Sequence, residues 1–196
     1  SVRETAGAEI IKKLTNREAV VLCDPTIAVD VDDWKQLQSR PKNAPERKYA
    51  LCYFLGNKTK EYDKWINSCT KDKSYELVEI IDSNDLKHYA TDPCEMLWLI
   101  DNAEAVFTDS FHAVVFSILF HTPFVAFKRV EKGLELFSRI QSLLNLMDLQ
   151  DREFSVIERE QFDKLDFLHS DKVISEEKIK TKMYLTNALS NIEEIA

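Results

Sequence analysis

The hydrophobic residues of this chain alternate between short continuous runs and helically spaced sets. Apolar runs of about four to eight residues bounded by turn residues are typical of buried strands, and apolar residues three and four positions apart indicate amphipathic helices. The runs predict strands at residues 19–23, 49–56, 76–81, 105–107 and 123–127. The spaced sets predict helices at residues 5–14, 31–38, 60–72, 95–102, 111–120, 134–147 and 176–195.

The order of these elements indicates the fold class. Strands alternate with helices, and apolar strands without a period of two belong to parallel sheets that helices cover on both faces. We therefore expect an α/β protein, with a Rossmann-like three-layer α/β/α domain and a mainly parallel sheet. One domain is expected over residues 1–196, with its sheet in about 1–150 and a helical extension in about 151–196.

Composition narrows the classes of function. The 196 residues carry 26 basic and 34 acidic side chains, a formal charge of −8, which argues against non-specific nucleic-acid binding. The glycines Gly7, Gly56 and Gly133 lie too far apart to form a dinucleotide-binding or P-loop motif. The four cysteines form no C-x-x-C pair and the four histidines show no metal-binding spacing. We therefore expect neither a metal site nor a disulfide framework.

The sequence also predicts a location. No stretch is long and apolar enough to cross a bilayer, and no secretory signal pattern opens the chain. Cysteines without a disulfide framework fit the reducing cytosol, so we expect a cytoplasmic protein. The chain begins at Ser1 without a methionine, which we interpret as a piece of a longer protein.

The turn after the predicted strand at 105–107 is the strongest candidate for chemistry. Ligands of open parallel sheets bind beyond the carboxyl ends of the strands. Thr108, Asp109 and Ser110 are good N-cap residues, and a helix N-terminus attracts phosphate or carboxylate. His112 would lie in the first helical turn, where it could donate to an anion or transfer a proton. The alternative is structural: Ser110 only caps the helix, and His112 is a buried histidine bonded to a carbonyl.

The loop after the predicted strand at 123–127 is a second candidate. Four cations lie within twelve residues of this acidic chain: Lys128, Arg129, Lys132 and Arg139. At the carboxyl end of a strand they could neutralise a phosphorylated substrate, and arginine would offer a bidentate fork. The alternative is a solvated loop followed by an exposed helix face.

Short motifs follow one another in a fixed order along about residues 1–149. The most specific is T-D-S-F-H-A-V-V-F-S at 108–117, followed by H-T-P-F-V at 121–125. Weaker matches are S-V-R-E at 1–4, D-P-T at 24–26 and S-R-I at 138–140. Together these motifs resemble the polysaccharide pyruvyl transferase family.

This resemblance implies a fold and a reaction. Family members are similar to two-domain GT-B glycosyltransferases, so this chain would be the C-terminal half, with the N-terminal, acceptor-side domain missing. They transfer a pyruvyl group from phosphoenolpyruvate to a pair of sugar hydroxyls, which forms a ketal in surface polysaccharide biosynthesis. The implied partners are phosphoenolpyruvate as donor substrate and a saccharide acceptor, with no cofactor. Any membrane contact would be a peripheral association with membrane-bound glycan assembly.

The resemblance also implies catalytic roles. His112 matches the family's histidine, the general acid that protonates the enol methylene carbon. Forming the ketal also needs a base for the attacking hydroxyl. Asp109 is the nearby candidate for that base, and the missing domain is the other source.

Four residues are the expected substrate-binding groups: Arg3, Ser110, Lys132 and Arg139. Arg3 matches the arginine of the family's S-x-R motif, a donor to phosphate or carboxylate. Arg139 matches the basic residue that opens the helix after the last strand, a role that Lys132 could fill instead.

Two other functions fit the same fold. A GT-B glycosyltransferase would use a nucleotide-sugar donor, whose ribose hydroxyls Glu131 or Glu135 could bind. A non-catalytic binding domain would keep the fold without turnover. As a pyruvyl transferase, this chain alone is expected to be inactive, because the acceptor should bind across the cleft between two domains.

Overall fold

The computed structural model describes residues 1–81, 89–130 and 137–190. The chain divides into two units, one formed by Ser1–Asp30 with the chain from Leu168 onwards, the other by Val31–Phe167. The helices in chain order are α1 (Thr5–Thr15), α2 (Pro25–Ala28), α3 (Val31–Gln36), α4 (Lys60–Lys73), α5 (Pro93–Asp101), α6 (Phe111–Leu119), α7 (Phe137–Leu146) and α8 (Leu168–Ser190). Short 3₁₀ turns lie at Gln150–Arg152 and Arg159–Gln161.

A parallel sheet forms the centre of the unit Val31–Phe167. Its strands in the described residues are β1 (Tyr49–Tyr53), β2 (Glu76–Ile80), β3 (Ala105–Thr108) and β4 (Phe124–Ala126). They lie in the order β2-β1-β3-β4 and all pair in parallel, with Thr108 opposite both Tyr53 and Ala126. Helices flank this sheet, so the predicted α/β class with Rossmann-like layering is confirmed.

Burial explains why these apolar runs form strands. Leu51 of β1 and both Val106 and Phe107 of β3 are fully buried, so both faces of the central strands are covered. On one face, Phe107 stacks on Phe162 with their ring centroids 5.7 Å apart. After its first turn helix α6 is almost wholly apolar, and every residue from 113 to 119 is buried. A buried helix that follows a buried strand gives the turn between them little freedom to move.

The predicted strand at residues 19–23 is wrong. Val21 forms only an isolated parallel bridge with Val2. The amide of Val2 donates to the carbonyl of Val20, and the amide of Leu22 donates to the carbonyl of Val2, each at 2.9 Å. Val20 is exposed while Leu22 and Cys23 are buried, so only part of this run is covered. A five-residue apolar run satisfies the pattern of a buried strand, but its backbone pairs here with the segment before α1.

The predicted strand at 49–56 ends early, at Tyr53. The amides of Leu55 and Gly56 donate to the carboxylate of Asp109 rather than to a neighbouring strand. The Asp109 side chain therefore takes the place of a neighbouring strand as the hydrogen-bond acceptor beyond the end of β1.

The C-terminal helix begins earlier than the sequence predicts. Helix α8 starts at Leu168 rather than at residue 176. The buried positions of α8 are few, and two of them are small polar residues, so the apolar pattern that would predict the helix is weak. They are Ser170, Val173, Ile174 and Thr181. The predicted start of α7 at 134 and the predicted end of α8 at 195 lie outside the described residues.

Candidate functional site

Three loops meet at the carboxyl edge of the sheet. They follow β1, β3 and β4, whose last residues are paired in register. The loops contribute Gly56, Asp109 and Arg129 to one cluster of contacts. This is the edge at which open parallel sheets bind ligands.

The carboxylate of Asp109, in the loop after β3, accepts hydrogen bonds from the loops after β1 and β4. Its Oδ1 accepts from the amide of Leu55 at 2.7 Å, and its Oδ2 accepts from the amide of Gly56 at 2.9 Å. Oδ2 also accepts from Nε of Arg129 at 3.1 Å. Only 1% of the Asp109 side chain is exposed. Its oxygens are therefore occupied within the protein.

Gly56 lets the stem of Arg129 pass close to the backbone of the β1 loop. A Cβ at position 56 would lie 2.5 Å from Cγ of Arg129 and 3.1 Å from its Cδ. Any larger residue would push the arginine away from Asp109. The close approach therefore requires glycine at this position.

Ser110, one of the three candidate cap residues in the sequence, is the N-cap of α6, and its hydroxyl accepts from the amide of Ala113 at 3.5 Å. Its own amide donates to Oγ1 of Thr108 at 2.9 Å, and that hydroxyl donates to the carbonyl of Tyr53 at 2.6 Å. Burial raises the pKa of Tyr53, and a hydrogen bond with Ser110 opposes this shift. The start of α6 is thus tied to the end of β1.

His112 lies in the first turn of α6 and is exposed. The alternative of a buried histidine is therefore wrong. Its ring meets the ring of Phe111 edge-on, with centroids 5.4 Å apart. The imidazole is placed where a bound ligand at this edge could reach it.

Arg139 lies beside the same helical turn. It is carried by α7, and its Cζ lies 4.2 Å from the centroid of the Phe111 ring. This cation–π contact brings a guanidinium next to the residue that precedes His112. The structure thus brings together Ser110, His112 and Arg139, which are up to 29 positions apart in sequence.

Arg3 belongs to the other unit of the chain. Its Nη1 lies 2.7 Å from Oδ2 of Asp24, whose side chain is 4% exposed against 52% for Arg3. Asp24 also accepts from the amide of Thr26 at the start of α2. Two of the pieces that carry the family resemblance, S-V-R-E and D-P-T, are therefore in direct contact.

Three candidate residues from the sequence analysis have no structural description. Lys132, the alternative to Arg139, lies outside the described residues, as do Glu131 and Glu135. Among the other loop cations, Lys128 pairs with Glu153 at 3.2 Å. The substrate-binding role of Lys132 stays a prediction.

Sequence reasoning did not single out Tyr53 and Gly56 as site residues, and it named Arg129 only as one of four cations after the strand at 123–127. All three lie at or just beyond the carboxyl end of a strand, and Gly56 is one of three glycines in the chain. Those two signals could have selected them. Asp109, which contacts both Gly56 and Arg129, lies 53 positions from Gly56 and 20 positions from Arg129 in the sequence.

The described part of the chain contains no cluster of three or more histidine, cysteine, aspartate or glutamate side chains arranged to hold a metal ion. Within the same residues, no helix combines the length and the apolar character that crossing a membrane requires.

Comparison with known families supports the motif resemblance. The family model for polysaccharide pyruvyl transferase matches residues 1–129. The chain belongs to this family. The match covers Arg3, Asp109, Ser110, His112 and Arg129, whereas Lys132 and Arg139 lie beyond its end.

Membership of the polysaccharide pyruvyl transferase family indicates a transferase that acts on a saccharide. No curated protein and no solved structure matches the chain, so the family match stands by itself.

Proposed function

We propose that this chain carries the donor-binding half of a pyruvyl transferase of the GT-B type. Phosphoenolpyruvate is the donor, and a saccharide with two suitably placed hydroxyls is the acceptor. The family match supports a transferase acting on a polysaccharide. The specific reaction follows from fitting its chemistry to the residues at the carboxyl edge.

The observation that carries the proposal is the placement of Arg139 beside the exposed His112. The Arg139 guanidinium lies over Phe111 at the N-terminus of α6, and His112 follows directly. Phosphoenolpyruvate carries a phosphate and a carboxylate, so its site needs cations and free N–H donors. Arg139 supplies a cation, α6 supplies its N-terminus, and His112 is a side chain able to transfer a proton.

The reaction balances with one proton delivered and two removed. A proton on the methylene carbon of phosphoenolpyruvate makes the neighbouring carbon electrophilic, and one sugar hydroxyl adds to it. The second hydroxyl then displaces phosphate, which leaves the pyruvate ketal. Of the two hydroxyl protons lost, one replaces the proton given to carbon and the other leaves with phosphate. His112 is the proposed donor of the proton to carbon.

A thermal-shift titration with phosphoenolpyruvate tests the donor assignment. A ligand at 100 times its Kd stabilises by about 2.7 kcal/mol, which raises the Tm of a chain of this size by about 5–10 °C. We expect a saturable shift in the wild-type chain and a weaker one in His112→Ala. His169→Ala, a change at an exposed histidine of the other unit, is the matched control and should behave as wild type.

The competing functions give different results in the same titration. A shift with UDP or GDP and none with phosphoenolpyruvate would favour a nucleotide-sugar glycosyltransferase. Phosphate release and ketal formation with a free sugar then test turnover. We expect the isolated chain to give neither product, and detectable ketal would contradict the proposal that the acceptor side lies on another domain.

A further inference from the structure

Arg129 lies in the loop after β4 and is held at the carboxyl edge by the loops after β1 and β3. Its Nε donates to Oδ2 of Asp109 at 3.1 Å, and its Nη2 donates to the main-chain oxygen of Asp109 at 3.4 Å. Its stem lies against Gly56, where a Cβ would come within 2.5 Å of Cγ. The Arg129 side chain is therefore held by two other segments, its guanidinium by Asp109 and its stem by Gly56.

The contacts with Asp109 leave one edge of this guanidinium open. Arginine has five N–H donors, and both its Nε/Nη2 edge and its Nη1/Nη2 edge match the two oxygens of an oxyanion. Asp109 occupies the first edge. Within residues 1–81, 89–130 and 137–190, no hydrogen bond reaches Nη1, and 17% of the side chain is exposed. The second edge is available to a ligand.

The surroundings of Asp109 suit it to holding Arg129 better than to taking a proton. The amides of Leu55 and Gly56 and the Nε of Arg129 all donate to its carboxylate. A reacting hydroxyl would have to displace one of these donors before it reached an oxygen. The role that this geometry supports differs from the base role expected from the sequence.

The local charge favours an anion at this edge. Arg129 contacts the main chain at Asp109, and Arg139 lies over Phe111, so two guanidinium groups flank the first turn of α6. A helix N-terminus carries positive partial charge, so cations beside it are unfavourable. Asp109 pairs with Arg129 and offsets its charge. A bound oxyanion would add negative charge beside the helix N-terminus, which the helix dipole favours.

We propose that Arg129 binds an oxyanion through its Nη1/Nη2 edge and that Asp109 is the positioning residue that orients it. The further step, that this oxyanion is the phosphate or the carboxylate of phosphoenolpyruvate, rests on the proposed function. A planar fork is required for bidentate binding, and the ammonium of lysine provides only a point charge.

Isothermal titration calorimetry with phosphoenolpyruvate, inorganic phosphate and pyruvate tests the role of Arg129. Arg129→Gln should weaken binding by about 10- to 100-fold, the loss of one or two charge-assisted hydrogen bonds. Arg129→Lys should recover only part of the affinity. Arg47→Gln, which removes an exposed arginine before the opposite end of β1, should bind as wild type. Equal affinity in Arg129→Gln and wild type would overturn the proposal.

The two single-anion titrations identify the bound group. If Arg129→Gln loses affinity for phosphate and keeps its affinity for pyruvate, Arg129 binds the phosphate of the donor. The reverse pattern assigns it to the carboxylate.

Testing the positioning role of Asp109 requires a measurement that does not depend on the stability of the fold. The Nε–H resonance of Arg129 in a ¹⁵N spectrum, assigned by its absence in Arg129→Lys, should shift when the anion binds. Asp109→Asn should weaken anion binding and abolish that shift. If the Arg129 resonance does not shift when the anion binds, and Asp109→Asn binds the anion as tightly as wild type, the Arg129–Asp109 pair is purely structural and the proposal is overturned.

A double variant separates loss of binding from loss of fold. Asp109→Asn combined with Arg129→Gln keeps the side chain at 109 nearly isosteric, shortens the one at 129 and leaves no buried charge unpaired. We expect a thermal transition close to that of wild type, with the anion affinity lost. A folded double variant that binds the anion normally would contradict the inference.

This inference and the proposed function fail in different ways. Binding of phosphate or pyruvate through Arg129, without binding of phosphoenolpyruvate, would support the inference and contradict the proposed donor. Normal binding of phosphoenolpyruvate to Arg129→Gln would do the opposite. If the wild-type chain binds none of the three anions, the inference is overturned. The proposed reaction is then tested only by the formation of phosphate and ketal.

Discussion

Arg152 carries a fully buried positive charge whose hydrogen-bond partners are main-chain carbonyls. Its guanidinium makes five hydrogen bonds, to the carbonyls of Phe124, Gln161, Phe162 and Lys164. Burial lowers the pKa of this guanidinium. The side chain joins β4 to the segment around the second 3₁₀ turn, so Arg152 is a structural residue.

Replacing Arg152 by methionine should destabilise the fold strongly. Several carbonyls would lose their donors inside the protein, at a total cost of about 3 kcal/mol. The Tm should fall by roughly 6–12 °C. Urea denaturation followed by circular dichroism gives the free energy of unfolding.

The control for Arg152 is Arg159→Met. Arg159 makes surface ion pairs with Asp72 and Glu160, and such pairs contribute about 0–1 kcal/mol. A loss below 1 kcal/mol in Arg152→Met, or equal losses in the two variants, would contradict the structural role.

Glycine to alanine substitutions should change stability in opposite directions at two positions. At Gly56, the new Cβ would lie 2.5 Å from Cγ of Arg129, which Asp109 holds in place, so we expect a loss of about 1–3 kcal/mol. At Gly7, inside α1, the nearest atom is 3.5 Å away, and alanine should gain about 0.5–1 kcal/mol.

The same denaturation experiment measures both glycine variants. Gly56→Ala should also weaken binding of phosphoenolpyruvate, because the arginine shifts from Asp109. A neutral Gly56→Ala variant would mean that Arg129 can move without cost, and the close approach would lose its significance.

At the scale of elements, the sequence predicts α6 well and the end of β1 poorly. The helix was expected at 111–120 and spans Phe111–Leu119, because its cap and its apolar residues are local signals. The sequence predicts that β1 reaches residue 56, but β1 ends at Tyr53. The amides of Leu55 and Gly56 donate instead to Asp109, which lies 54 and 53 positions away in the sequence. Contacts of that range are invisible to local patterns.

The candidate site divides in the same way. His112, Ser110 and Asp109 stand in one motif, so the sequence identifies them together. The pairing of Arg129 with Asp109 and the stacking of Arg139 on Phe111 depend on tertiary structure. The sequence could place cations near the site, but it could not show which atoms each cation contacts.

Two helix caps should separate stability from ligand binding. Asp92 caps α5 in a reciprocal capping box with Glu95, and its loss in Asp92→Ala should cost about 1 kcal/mol with no change in phosphoenolpyruvate affinity. Ser110→Ala at α6 should cost no more than about 1 kcal/mol, because its capping bond is long, at 3.5 Å. It should nevertheless weaken phosphoenolpyruvate binding.

Thermal melts and calorimetry on both cap variants check this prediction. The stability losses should be similar, and only Ser110→Ala should lose affinity. Unchanged affinity in Ser110→Ala would limit Ser110 to capping, which is the structural alternative for this residue.

At the scale of the whole molecule, the two units differ in how much they bury. α1 has no buried residue, and α8 buries four positions in the described part of its 23 residues. The unit Val31–Phe167 contains the fully buried central strands and the buried α6. Since apolar burial supplies most of the stabilising free energy, the unit with Ser1–Asp30 should open at lower denaturant.

Buried cysteines in both units make this difference measurable. Cys23 lies in the first unit, and both Cys52 and Cys69 lie in the second. Burial raises the pKa of all three thiols, to about 12 for Cys69. In mildly alkaline buffer they stay protonated and unreactive until their surroundings open. Cys94 is partly exposed and should react at once, so Cys94→Ser removes the background.

Pulse labelling with a thiol reagent across a urea series should modify Cys23 before Cys52 and Cys69. Peptide mapping by mass spectrometry assigns each modification to its cysteine. The midpoint for Cys23 should lie at lower urea, and its smaller dependence on urea should reflect the smaller surface exposed. Coincident midpoints and slopes for all three thiols would instead show that the two units unfold as one cooperative block, whatever their difference in burial.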